Sequence, residues 1–480
     1  MTGAGELTYN GVASGVAGVV SMSKSFIWIR FLVVALSALN AACVSLPQPN
    51  LSTLAPAPGQ RLKVVGSKGP LSPRQTTALI RQLGLESVDA GPLKRHMAIE
   101  QVVAGTPLYA GNKAAILQDG YQTFPAMFAA IRGASRSIYL EYYIFDDIAW
   151  QGTRLDELLI SKSTSGLEVA IIYDGIGSLG TSRDFLNSLS AAGIRLLPFN
   201  PLNPLNSIHP WSLNNRDHRK ILIADDRVAI VGGVNMATFY EDGPTGSDRK
   251  PYWRDTDIEI SGPAVSELSR LFRDQWTQQG GAPLAYIDAK SDIATEGSEV
   301  IHVLGSSPGS NLVPRYYATV LSAINAAERS VWITAAYFVP THQEKVALAL
   351  AAKRGVDVRL LLPSHNNSPA SLAVQRSSYA RLLKAGVKIF ERDGVILHSK
   401  SIVIDGVWSV IGSSNFDHRS VLFNDEVDAV VLGHATALDL EQLFRSDLEQ
   451  GHAIDLAAWR HRSMIERMRE LLWSTCTTLL

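Results

Sequence analysis

The chain has 480 residues, 46% of them hydrophobic and 19% charged. At roughly 150 residues per domain this is enough for two or three packed units, and it excludes a disordered or highly charged protein. Its 44 basic residues are matched by 45 acidic ones, a net charge of −1, which argues against a nucleic-acid binder held by a broad basic surface. The two cysteines, Cys43 and Cys476, form neither a disulfide framework nor a cysteine-rich metal site.

Residues 31–39 are a short apolar run, with Lys24 and Arg30 before it and Ala41-Ala42-Cys43 after it. A basic flank, an apolar stretch and small residues before a cut are the parts of a secretory signal. The uncharged stretch 31–47 is marginal against the roughly 20 apolar residues that span a bilayer. Met22 stands just before this segment and is a candidate start. Leu39-Asn40-Ala41-Ala42-Cys43 resembles a bacterial lipoprotein signal, except that the aliphatic residue stands four places before the cysteine instead of three. Cys43 is therefore a candidate lipid anchor, with a plain cleaved signal or an uncleaved anchor as the alternatives. Residues 1–43 read as an upstream extension and targeting segment, which places the protein in a bacterial cell envelope, on the periplasmic side. Residues 44–107 read as a linker with a short helical lead-in; residues 44–74 are rich in Pro, Ser and Gly and suit a tether.

From about residue 111 the chain reads twice. Ser137-Ile-Tyr-Leu-Glu-Tyr-Tyr-Ile-Phe145 is matched by Ser330-Val-Trp-Ile-Thr-Ala-Ala-Tyr-Phe338. Gly166-Leu-Glu-Val-Ala-Ile-Ile-Tyr173 is matched by Gly355-Val-Asp-Val-Arg-Leu-Leu-Leu362, and Ala192-Gly-Ile-Arg-Leu-Leu197 by Ala385-Gly-Val-Lys-Ile-Phe390. Helical patterns at residues 124–131 and 155–161 recur at 317–326 and 346–352. β-Branched runs alternating with amphipathic helices predict an α/β fold. The repeat predicts two similar α/β lobes packed pseudo-symmetrically with the active site between them, lobe 1 over residues 108–280 and lobe 2 over 301–455. Residues 281–300 read as the link.

Each half ends in one polar signature. The first is His218-Arg-Lys220-Ile-Leu-Ile-Ala-Asp225 followed by Gly232-Gly-Val-Asn235. The second is His398-Ser-Lys400-Ser-Ile-Val-Ile-Asp405 followed by Gly412-Ser-Ser-Asn415. In a strand, His and Lys two residues apart share a face. Two imidazoles and two ammoniums suit a phosphodiester. Lys220, Lys400, Asn235, Asn415 and Ser413 supply donors for the non-bridging oxygens. One His attacks phosphorus, and the other moves the proton to the leaving oxygen and from the incoming hydroxyl. This chemistry requires no metal and no cofactor. A lone HxK triplet in a strand is most often an ordinary surface or core feature. Two copies with identical downstream spacing, at the same point of a repeat, favour catalysis.

This doublet resembles the phospholipase D superfamily, and the stretch from about 108 to 460 is similar to the bacterial cardiolipin synthases. Asp119-Gly120, Tyr173-Asp-Gly-Ile-Gly-Ser178, Trp253-Arg-Asp-Thr256, Tyr337-Phe-Val-Pro340 and Asn415-Phe-Asp-His-Arg-Ser420 carry the likeness. The resemblance implies a phosphohistidine intermediate with His218 as nucleophile and His398 as general acid and base; spacing alone does not order the two. It also implies that Glu426 orients His218 and Asp255 orients His398, each across the lobe boundary. Asp225 and Asp405 are members of the catalytic signature whose expected task is structural, tying loop or backbone groups. Two departures stand out. Cardiolipin synthases of the best-known type begin with two membrane-spanning helices, whereas this chain has one short targeting segment. Gly233 also stands where many members have Ser, so a hydroxyl expected near the phosphate is absent.

Residues 456–480 read as a basic amphipathic helix bearing Trp459, Arg460, Arg462, Met464, Ile465, Arg467, Met468, Arg469, Leu471, Leu472 and Trp473. Such a helix suits the headgroup zone of an anionic membrane, or it packs on the body. The expected function is phosphatidyl transfer to an alcohol such as phosphatidylglycerol, with phospholipids and a membrane surface as partners and no nucleic acid. Hydrolytic phospholipase D and a superfamily nuclease are the alternatives, and a catalytically dead scaffold is disfavoured by the intact His, Lys and Asn of both halves.

Overall fold

The computed structural model describes residues 62–85, 90–104, 106–203, 212, 214–241, 251–285, 294–308 and 314–474. The expected targeting segment, Cys43 and Cys476 lie outside the described residues.

The stretch ahead of the repeat is more structured than its composition implies. Val64–Gly66 forms a strand that pairs in parallel with Leu108 and Tyr109, and Val64 is buried. The chain turns back at Gly69, whose φ of 103° suits a residue without a side chain. This part of the expected tether is thus a hairpin, because two adjacent valines give it apolar surface to bury. Helix α1 (Pro73–Leu85) and helix α2 (Ala90–Ala104) follow. Leu93 and Met97 of α2 join the core of the second lobe. Its polar residues are buried with partners: Glu100 accepts from Trp408 Nε1 at 2.7 Å and meets His302 Nδ1 at 2.8 Å.

Lobe 1 contains β1 (Leu108–Gln118), α3 (Asp119–Gly133), β2 (Ser137–Tyr142), α4 (Leu155–Thr164), β3 (Glu168–Asp174), α5 (Arg183–Ala191), β4 (Arg195–Phe199), β5 (Lys220–Ala224), β6 (Val228–Gly232), β7 (Thr256–Ser261) and α6 (Val265–Gln278). Its sheet runs β4-β3-β2-β5-β6-β7-β1. The first two pairings are parallel and the rest antiparallel. Lobe 2 contains β8 (Glu299–Ser306), α7 (Arg315–Ala326), β9 (Ser330–Ala335), α8 (His342–Lys353), β10 (Asp357–Pro363), α9 (Pro369–Ser377), β11 (Lys388–Arg392), β12 (Lys400–Ile404), β13 (Trp408–Gly412), β14 (Asn424–Leu432), α10 (His434–Glu449) and α11 (Met464–Ser474). Its sheet runs β11-β10-β9-β12-β13-β14-β8, again with two parallel pairings and then antiparallel ones. The predicted α/β architecture of two similar lobes is the architecture found. Strand β8 opens at Glu299, two residues inside the stretch read as a link.

The sequence explains these elements locally. Every residue of β5 and β14 is buried; the apolar stretches 221–224 and 429–432 fill the core, as strands covered on both faces must, while Lys220 and residues 424–426 at the opposite ends carry the polar groups. Helix α8 opens on a capping box, in which Glu344 N donates to Thr341 Oγ1 at 3.2 Å and Thr341 N donates to Glu344 Oε2 at 2.7 Å. Helix α9 opens on Ser368 with Pro369 in its first turn, where proline's missing N–H costs nothing. One core cluster draws Ile258 and Ile260 of lobe 1 together with Val303, Val427 and Ala429 of lobe 2, so the lobes share a hydrophobic interior.

Candidate active site

The lobes exchange short strands. Arg216–Asp217 of lobe 1 pairs in parallel with Asn424–Asp425 of lobe 2, and Tyr252–Arg254 pairs in parallel with Val395–Leu397. Each histidine therefore follows a strand docked on the opposite lobe. His218 N donates to Asp425 O at 2.9 Å, and His398 N donates to Arg254 O at 2.8 Å. Buried arginines reinforce the crossing. Arg219 donates to Glu141 within its own lobe at 3.2 Å and to the Glu426 carbonyl of the other at 3.3 Å. Arg254 reaches Asp447 of the other lobe at 2.8 Å.

This crossing brings each imidazole to the other lobe's carboxylate. His218 Nδ1 lies 3.0 Å from Glu426 Oε2, and His398 Nδ1 lies 2.7 Å from Asp255 Oδ2. With Nδ1 committed, each neutral ring keeps its Nε2 lone pair for chemistry. Both rings line one cavity of about 330 Å³, together with Asn235, Asn415, Arg216, Arg419, Tyr143, Trp253 and Tyr337. The aromatic rings flank the imidazoles: Tyr143 has its centroid 5.3 Å from that of His218, and Trp253 lies 5.2 Å from His398.

The lysines are buried behind the histidines. Lys220 Nζ donates to His218 O at 2.6 Å, and Lys400 Nζ donates to His398 O at 2.5 Å. Lys400 Nζ also stands 3.1 Å from His398 Nε2. Burial lowers Lys220 to about 7, although Glu426 pulls it back up. Burial lowers Lys400 to about 8 against the pull of Asp255. His398 is lowered to about 4, by burial first and then by Lys400, with Asp255 opposing. His218 is lowered too, by burial, with Glu426 opposing.

The remaining predicted residues fall in two places. Asp225 and Asp405 stand at the far ends of β5 and β12, away from the cavity. Asp225 accepts from the backbone N–H groups of Ser135, Arg136 and Ser137 at 2.9, 2.7 and 3.0 Å. Asp405 accepts from Glu328, Arg329 and Ser330 at 3.2, 2.7 and 3.1 Å. Both sit at positive φ, 57° and 56°, and pin the loop that enters β2 or β9. Ser413, expected at the phosphate, is turned away from the cavity. Its buried hydroxyl donates to Glu426 Oε2 at 2.5 Å and accepts from Val427 N at 3.0 Å. The absence of a hydroxyl at Gly233 therefore removes a carboxylate partner, not a phosphate donor.

Tyr240 is a site residue that the sequence reading missed. Its hydroxyl donates to Asp255 Oδ2 at 3.0 Å and lies 2.9 Å from His398 Nδ1. Ser420 does the same in lobe 2, donating to Glu426 Oε1 at 2.8 Å. Each stands five places after the signature asparagine, a hydroxyl at matched spacing that would have revealed both.

The family description "Cardiolipin synthase, PLD-like domain" matches residues 127–239 and 320–448, so that His218 stands inside the first matched stretch and His398 inside the second. A cardiolipin synthase of Halalkalibacterium halodurans is 34% identical over 384 residues, 78% of this chain and 73% of its own length. The chain belongs to the cardiolipin synthase family of phospholipase D-like proteins. It is thus a phosphatidyltransferase of that superfamily. A second cardiolipin synthase, from Geobacillus kaustophilus, is 34% identical over 76% of this chain and 72% of its own. Among solved structures, phosphatidylserine synthase of Haemophilus influenzae shares the fold at a TM-score of 0.55, with 12% identity, covering 81% of this chain and all of its own.

Proposed function

We propose that the chain transfers a phosphatidyl group between alcohols through a phosphohistidine, with phosphatidylglycerol as donor and acceptor and cardiolipin and glycerol as products. The observation that carries this reading is the placement of both signature histidines on one cavity, each imidazole backed by the opposite lobe's carboxylate and by its own buried lysine. His218 Nε2 attacks phosphorus and the bond from phosphorus to the glycerol oxygen breaks. His398 gives its proton to that oxygen, and glycerol leaves. The hydroxyl of a second phosphatidylglycerol then bonds to phosphorus as the bond to His218 breaks, and its proton goes to His398. Lys220, Lys400, Asn235 and Asn415 face the charge that grows on the non-bridging oxygens.

The low proton affinity of His398 fits this scheme. Burial and Lys400 lower it. An anionic phosphodiester entering the cavity offsets Lys400 and lets His398 take up the proton it must donate. The substrates reside in a bilayer, so the enzyme works at a membrane surface, in the bacterial envelope that its N-terminal segment implies. Incubating the purified protein with phosphatidylglycerol vesicles and separating products by thin-layer chromatography tests the reading. Cardiolipin plus glycerol is expected; phosphatidate alone overturns transfer in favour of hydrolysis.

A further inference from the structure

Among the described residues no helix is long and apolar enough to cross a membrane. One helix, however, carries its apolar face outward. In α11 the side chains of Met464, Ile465, Met468, Leu471 and Leu472 are 66–79% exposed, while Glu470 is buried. At about 100° per residue these five apolar positions fall in one stripe about 120° wide. Arg467 borders the stripe on one side and Arg469 on the other. Neither arginine pairs with a carboxylate among the described residues.

The inner face explains this orientation. Glu470 receives both ends of the Arg462 guanidinium, with Nη2 at 3.1 Å from Oε2. Arg462 in turn stacks on Trp459, 3.2 Å from the ring centroid, and Trp459 packs on Tyr379 at 4.9 Å. Ser463 and Glu466 cap the first turn reciprocally, with Glu466 N donating to Ser463 Oγ at 3.2 Å. A half-buried ion pair, a stacked tryptophan and a cap thus fix the rotation of α11 and hold the stripe outward. A soluble surface helix has the opposite arrangement.

We propose that this stripe inserts into the headgroup and upper acyl zone of an anionic bilayer, and that α11 is the element that sets the active-site mouth against the membrane. The occupant follows from charge as well as apolarity: two unpaired arginines flank the stripe, and they complement acidic lipid headgroups. The link to the site runs through α9. Pro369, Leu372, Ala373 and Arg376 of that helix line a cleft with Trp459, Arg462 and Glu470. Ser368 and Ser371, at the same helix's start, line the active cavity. Docking α11 therefore positions the helix whose first turn borders the substrate. The inference rests on a phospholipid substrate for its purpose, but not for its test.

The test uses the full chain and two readouts. Flotation with vesicles of mixed phosphatidylglycerol and phosphatidylcholine reports binding without turnover. Turnover is compared on those vesicles and on short-chain phosphatidylglycerol dispersed as monomers. The double substitution Ile465→Glu, Met468→Glu is expected to reduce flotation and vesicle turnover roughly tenfold or more, because two exposed apolar side chains that would enter the bilayer become charged, and to leave short-chain turnover unchanged. The pair Arg467→Gln, Arg469→Gln is expected to weaken flotation on anionic vesicles only, and less at high salt. Unchanged flotation of the glutamate variant overturns the proposal. So does sedimentation showing that wild type self-associates through the stripe while the variant is monomeric and floats normally. If neither lipid form is turned over by wild type, the phosphatidyl-transfer reading fails while the flotation result still stands.

Discussion

In lobe 1 the carboxylate that meets the opposite histidine is Asp255; in lobe 2 it is Glu426, one methylene longer. The residues around each differ to match. Asp255 accepts from the Tyr240 hydroxyl at 3.0 Å and from Thr256 N at 2.9 Å, and Gly233 packs against it. Glu426 accepts from Ser413, Ser420 and Asn424 at 2.5, 2.8 and 3.2 Å. The short acid goes with a glycine and a long phenol, the longer acid with two serines. The repeat has thus preserved an atom position, a carboxylate oxygen on Nδ1, by changing three side chains together. What lies behind the carboxylates has not changed: Asp257 accepts from Val234 N at 3.0 Å and Asp428 from Ser414 N at 3.2 Å, holding the two asparagine turns alike.

The sharpest way to break the comparison is at the histidines, where near-identical surroundings are assigned different tasks. His218→Ala is expected to lower turnover roughly a thousandfold or more, because no intermediate forms. His398→Ala is expected to lose about a hundredfold or more, yet still to acquire lipid phosphate on His218 when quenched and examined by mass spectrometry. Lipid phosphate trapped on His398 in the wild type reverses the order.

The next effect tests whether the small residue in lobe 1 is required. A side chain at Gly233 would collide with the Asp255 carboxylate. Gly233→Ser, which copies what lobe 2 carries at Ser413, is therefore expected to displace Asp255 and cost roughly a hundredfold in kcat/KM. Ser413→Gly removes one of several donors to Glu426 and is expected to cost about tenfold or less. Equal, small losses in the two variants would show that the side chains do not act as matched sets.

Tyr240→Phe should fall between these. Asp255 loses its one side-chain hydroxyl donor, so its charge bears more fully on His398 and raises that ring's proton affinity. The expected result is a loss of about tenfold with the acid limb of the pH profile moved upward. Ser420→Ala leaves Glu426 with Ser413 and Asn424 and should cost about threefold, without moving the limb. A Tyr240→Phe profile that keeps its shape reduces the residue to packing.

Much of this was readable in the chain. The alternation of apolar runs and helices, and their repetition, specify two α/β lobes because burial on both sheet faces leaves little freedom in such runs. The signatures locate the histidines, lysines and asparagines, since polar residues recurring at fixed spacing after a buried strand have few reasons to be there. Other features depend on contacts that no local pattern encodes. Ser413 looked like a phosphate donor because it stands where the superfamily carries a serine in the signature, but strand β14 brings Glu426 to its hydroxyl first. The helix α2 reads as polar lead-in, yet Glu100 and His96 are buried because lobe 2 supplies His302, Trp408 and Asp405. The periodicity of α11 is amphipathic in either orientation, and tertiary contacts such as the Arg462–Glu470 pair and the stacked Trp459 decide which face turns out.

The smallest expected effect concerns the lysines, and it runs with opposite sign in activity and stability. Burial lowers Lys220 to about 7 and Lys400 to about 8, far below an ordinary lysine. As pH rises through that range the ammoniums lose the charge that holds phosphate, so kcat/KM should fall on an alkaline limb at about pH 7 to 8. Lys220→Arg keeps a charge that does not titrate there; it is expected to be several-fold slower and to move the limb upward, and an unmoved limb assigns the titration elsewhere. Stability follows the reverse sense. Below about pH 7 the folded protein buries a charged Lys220, and the full cost is present. Between that pH and the ordinary lysine value the folded state has shed a proton that the unfolded chain still holds, so the cost shrinks as pH rises. Lys220→Met is therefore expected to unfold at a higher temperature than wild type, by a margin that is largest at or below neutral pH and closes toward pH ~10. A margin that widens with pH would mean that Lys220 enters the folded protein as a stabilising cation, and that burial does not lower its proton affinity.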